Sequence, residues 1–87
     1  MSSPKKSSDK LVYMANQIGK FFESQGRAKA VAGTADHIKK FWDPRMRDAI
    51  FAHLQAGGKG LDPVTREAIE QLAAARRNKG AETVGGR

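Results

Sequence analysis

The sequence predicts an all-α fold: a small bundle of about four helices with disordered basic termini. Three observations carry this. Apolar residues recur at spacings of three and four through most of the chain, which stacks them on helix faces. Two Asp-Pro pairs, Asp43-Pro44 and Asp62-Pro63, mark helix starts, and nothing in the 87 residues reads as a strand.

The first helix is expected over residues 8–24, with Leu11, Met14, Ala15, Ile18, Phe21 and Phe22 on one face. Ser8 suits the cap, and Gly26 suits the left-handed turn that ends the helix. Gly19 weakens the interior and is tolerable where another helix approaches closely. A second helix over residues 27–41 presents Ala28, Val31, Ala35, Ile38 and then Trp42, although Gly33 and Thr34 lower its propensity.

Asp43 and Pro44 open the third helix, an aspartate accepting from first-turn amides and a proline at a position whose amide would be unpaired anyway. Its stripe is Met46, Ala49, Ile50, His53 and Leu54, and Gly57-Gly58-Lys59-Gly60 ends it. Asp62-Pro63 repeats the start signal for a fourth helix carrying Val64, Ala68, Ile69, Leu72 and Ala75. Glu67 and Glu70 towards its start, with Arg76 and Arg77 at its expected end, match the helix dipole.

The formal charge is +7, but residues 9–75 hold ten Lys or Arg against eight Asp or Glu, so most of the excess lies at the ends. Three regions follow: a disordered basic tail at 1–8, a helical domain at 9–77 and a disordered tail at 78–87. Basic tails favour encounter with polyanions without specifying a fold. A domain this small buries a narrow core, and a stabilising partner is expected.

The absence of cysteine excludes a disulfide framework, a thiol nucleophile and thiolate ligation of zinc or iron–sulfur clusters. His37 and His53 lie sixteen residues apart on different helices without a metal motif, and both are read as half-buried structural residues. The 57–60 glycine loop follows a helix and lacks the Gly-Lys-Ser/Thr step of a phosphate loop. No apolar run is long enough for a signal-peptide core or a membrane span, and a cytoplasmic protein is expected.

The densest chemistry is at the second junction, His37-Ile-Lys-Lys-Phe-Trp-Asp-Pro-Arg-Met-Arg47. Aromatic and arginine side chains are the types that dominate interface hot spots. Phe41, Trp42, Arg45, Met46 and Arg47 are the candidate partner-binding residues, with Phe41 and Trp42 mainly packed and Arg45, Met46 and Arg47 presented outward. Arginines in a helix's first turn oppose its dipole, which points to a partner. A helix-turn-helix DNA reader would also place Arg45, Arg47 and Asp48 in that turn, but Trp-Asp-Pro stands where such turns often have glycine. The nearly neutral body argues further against it.

Met14-Ala-Asn-Gln-Ile-Gly-Lys-Phe-Phe22, the block His37 to Arg47, and Ala56-Gly-Gly-Lys-Gly-Leu-Asp-Pro63 resemble the small delta subunit of NAD-dependent, molybdenum-containing formate dehydrogenase. The resemblance spans about residues 10–73 and is most specific at Phe-Trp-Asp-Pro-Arg-Met-Arg. It implies a bacterial complex that oxidises formate to carbon dioxide and reduces NAD. In such a complex the alpha subunit holds the bis-molybdopterin guanine dinucleotide centre, and alpha, beta and gamma hold the iron–sulfur clusters, FMN and the NAD site. The delta chain is then a non-catalytic accessory that supports assembly or stability, with alpha as its expected contact. Two alternatives stay open: a transient chaperone for molybdenum-cofactor insertion, and a small basic nucleic-acid-binding protein.

Overall fold

The chain folds as four helices in a computed structural model that describes the backbone of residues 3–85 and the side chains of residues 8–77: α1 (Ser3–Glu23), α2 (Arg27–Phe41), α3 (Pro44–Gln55) and α4 (Pro63–Gly85). No strand occurs among the described residues. The expected disordered tails fall almost wholly outside the described side chains, and residues 1–2 and 86–87 lie outside the description altogether. The helical backbone extends beyond the segments that the apolar pattern marks, because no proline or glycine pair interrupts residues 5–7 or 78–84. Arg76 and Arg77 therefore stand within α4 rather than at its end.

Each turn is built as its residues dictate. Gly26 takes φ 97° between α1 and α2, and its carbonyl accepts the first α2 bond from the Ala30 amide at 2.8 Å. Asp43 caps α3, its Oδ1 accepting from the Met46 amide at 3.0 Å, with Pro44 in the first turn. Beyond α3, Gly57 donates to the Leu54 carbonyl at 3.0 Å and Gly58 to that of His53 at 2.9 Å, the paired bonds of a glycine helix terminator. His53 Nε2 lies 2.7 Å from the Lys59 carbonyl oxygen and ties the same loop back to α3. His37 is likewise half-buried, tilted against Phe41 with ring centroids 4.7 Å apart.

Asn16 fixes the loop before α4 from across the bundle. Its Nδ2 donates to the Gly60 carbonyl and its Oδ1 accepts from the Asp62 amide, both at 2.9 Å. Nothing in the periodicity of α1 distinguishes this residue.

Two adjoining clusters form the core. Ala15, Ile38, Trp42, Ile50 and Ile69 draw on all four helices, whereas Ala30, Val31, Ala35, Val64 and Ala68 join α2 to α4, with Phe22 and Leu72 packed alongside. The helix-weakening residues prove to be the close contacts. A Cβ at Gly19 would stand 2.5 Å from Thr65 Oγ1, and one at Gly33 would stand 2.8 Å from the Phe22 ring. These are the points at which α1 meets α4 and α2.

Three expected core assignments change. Phe21 is 73% exposed, because the gap that Gly33 opens admits one ring and Phe22 takes it, leaving Phe21 edge-on to that ring at 5.0 Å. Ala28 and Ala75 are exposed near the ends of the buried stripes. In exchange Ala30 and Thr34 are fully buried, since α2 is covered on two sides, by α1 and by α4, and Thr65 of α4 is fully buried where it meets Gly19 of α1. The Thr34 and Thr65 hydroxyls have no hydrogen-bond partner among the described residues.

Candidate docking surface at the second junction

The last turn of α2 and the first turn of α3 meet at a corner built on Trp42. Its side chain is 4% exposed within the first core cluster, and its amide donates to the Ile38 carbonyl at 3.0 Å as the backbone turns extended. Trp42 thus anchors the corner from inside, as expected. Phe41 does not: it is 72% exposed. Adjacent helical positions diverge by about 100°, so the residue beside a buried Trp42 is directed along the His37 ridge.

Arg45 is exposed, in line with its sequence reading. Met46 is half-buried and packs against the core instead of pointing outward. Arg47 also turns inward: its Nη1 donates to the Lys39 carbonyl at 3.1 Å and to the Trp42 carbonyl. Those oxygens belong to the C-terminal end of α2, where a cation is favoured by the dipole and carbonyls lack helical partners. The two arginines thus have different settings: Arg45 is exposed, whereas Arg47 caps the preceding helix. Arg47 is also removed from the position that a base-reading side chain would need.

Grooves flank the corner on both sides. Towards α1, Lys10, Leu11, Met14, Arg45 and Met46 line a shallow depression of about 440 Å³. Towards α4, a cleft of about 380 Å³ has Pro44, Phe51, Leu72 and Ala75 along its floor and Lys39, Arg47, Asp48 and Arg76 at its rim. Arg76 pairs with Asp48 at 2.6 Å and lies 5.3 Å above the Phe51 ring centre. Phe51 and the Asn16 clamp escape the sequence reading. Phe51 lies off the expected α3 stripe, and its signal is only its size at the flank of that stripe.

The chain has no cysteine, and among the described residues no three His, Asp or Glu side chains gather where a metal could sit. These donors do not fit an iron–sulfur cluster or a molybdenum ligand set. Among the described residues no helix is long and apolar enough to cross a membrane.

Nothing among curated proteins matches the chain, and nothing among solved structures does. A family model described as NADH-dependant formate dehydrogenase delta subunit FdsD matches residues 10–69. The matched span runs from α1 into α4 and contains the whole corner, including Trp42, the Asp43 cap and the glycine terminator. With more than two thirds of its length so matched, and with its most specific block folded as this corner, the chain belongs to the delta subunit family of NADH-dependent formate dehydrogenase.

Proposed function

We propose that the chain is a non-catalytic accessory subunit that docks through the corner at residues 41–47 and supports assembly or stability of the cofactor-loaded enzyme. The molybdenum centre, iron–sulfur clusters, FMN and NAD site belong to its partners, and the alpha subunit is the proposed contact, with beta and gamma in the same hetero-oligomer. The observation that carries the reading is that Phe41, 72% exposed, and Arg45, also exposed, flank buried Trp42 at the same corner. An exposed aromatic beside an arginine on a rigid support is the composition of an interface anchor. A partner that covers Phe41 would remove its apolar surface from water, which favours docking.

The test is the double variant Phe41→Ala with Arg45→Ala, both outside the core. Arg47 is left intact because it caps α2. Truncation of anchors of this kind weakens binding by about 2 kcal/mol or more, roughly thirtyfold. The variant should keep its helical circular dichroism and melting temperature and be lost from the complex. Normal folding with undiminished recovery of the complex would show that the corner is not the contact.

A further inference from the structure

The α3–α4 cleft carries more information than an apolar surface alone, because its floor and rim differ in kind. Phe51 and Leu72 are half-buried core-edge residues, and Pro44 and Ala75 extend that floor to the surface. Lys39 and Arg47 stand on the rim without a carboxylate partner among the described residues, whereas Arg27, Lys40, Arg66 and Arg76 each have one. Arg47 uses only Nη1 on the α2 carbonyls, and its Nε and Nη2 make no hydrogen bond among the described residues. The one rim carboxylate, Asp48, is engaged by Arg76.

From this we infer that the cleft receives an acidic amphipathic helix of the formate dehydrogenase complex, with apolar side chains on Phe51 and Leu72 and carboxylates on Lys39 and Arg47. The inference rests on the docking reading above and names the chemistry of the partner. Length supports a short helical segment. From Pro44 to Phe51 the cleft follows eight residues of α3, about 10 Å at 1.5 Å of rise between neighbours, which matches two turns of a third helix laid along the pair. Such a segment would place apolar residues three or four apart on the floor and acidic residues on the flanks.

The test places the photoreactive residue benzoylphenylalanine at Ala75 in the cleft and, separately, at Phe41 on the corner, in the full chain expressed in its own cells. Both positions are exposed. Irradiation of the purified complex should link the Ala75 position to a formate dehydrogenase segment with two or more Asp or Glu around an apolar pair. Lys39→Glu should lower that adduct about fivefold or more, the scale of one exposed ion pair changed in sign, without moving the melting temperature. Linking from Phe41 but not from Ala75 overturns the cleft assignment and leaves the docking reading standing. Linking from Ala75 to a second copy, or to a segment without carboxylates, overturns it as well. No linking from either position overturns both.

Discussion

Gly19→Ala separates local preference from packing, because the two effects have opposite signs. Alanine in place of glycine inside a helix favours folding by about 0.8–1.0 kcal/mol. At this position, however, the new Cβ would stand 2.5 Å from Thr65 Oγ1, so the hydroxyl must recede by about 0.9 Å to reach ordinary contact at 3.4 Å. Thr65 is fully buried and β-branched, which restricts its escape by rotation, and the remaining route is separation of α1 from α4. Overpacking of this kind costs about 1–3 kcal/mol. The sum is a net loss of about 1 kcal/mol. In a Thr65→Ala background the obstructing atom is gone and the same substitution should stabilise by up to about 1 kcal/mol. Urea unfolding followed by circular dichroism, run as a double-mutant cycle, reads both signs. Stabilisation by Gly19→Ala in the presence of Thr65 would refute the α1–α4 crossing described here.

Other residues make independent predictions. Asn16→Ala removes both bonds to the α4 entry loop and leaves the part-buried Asp62 amide unpaired, so stability should fall by about 2 kcal/mol and hydrogen exchange at that amide should accelerate. Arg47→Met keeps the aliphatic stem but loses the α2 cap, which should cost about 1 kcal/mol and lower the melting temperature by about 4–8 °C. An unchanged melting temperature would show that the α2 carbonyls do not depend on the guanidinium.

Much of the fold was legible because its punctuation is chemical. Asp43-Pro44, Asp62-Pro63, Gly26 and the 57–60 glycine loop each specify a backbone state that neighbouring sequence cannot easily override, and all stand at helix boundaries. The choice between adjacent aromatics was not legible. Phe21 and Phe22 are equivalent in hydropathy, and the outcome depends on Gly33, in another helix. The same holds for Phe41 beside Trp42. The corner's residue types pointed to it as a surface, but the inward turn of Arg47 follows from carbonyls eight and five residues earlier, whose position depends on the angle between α2 and α3. Asn16 bonds to residues 44 and 46 positions away, and no local pattern announces it.

The most direct test of the central claim is recovery of the tagged chain from its native cell extract at moderate salt, with copurifying proteins identified and assayed for formate-dependent NAD reduction. The other formate dehydrogenase subunits should be recovered with it in stoichiometric amount and active. Recovery of only a cofactor-poor alpha subunit would contradict a resident subunit in favour of a transient chaperone, and recovery of no formate dehydrogenase subunit would contradict docking altogether.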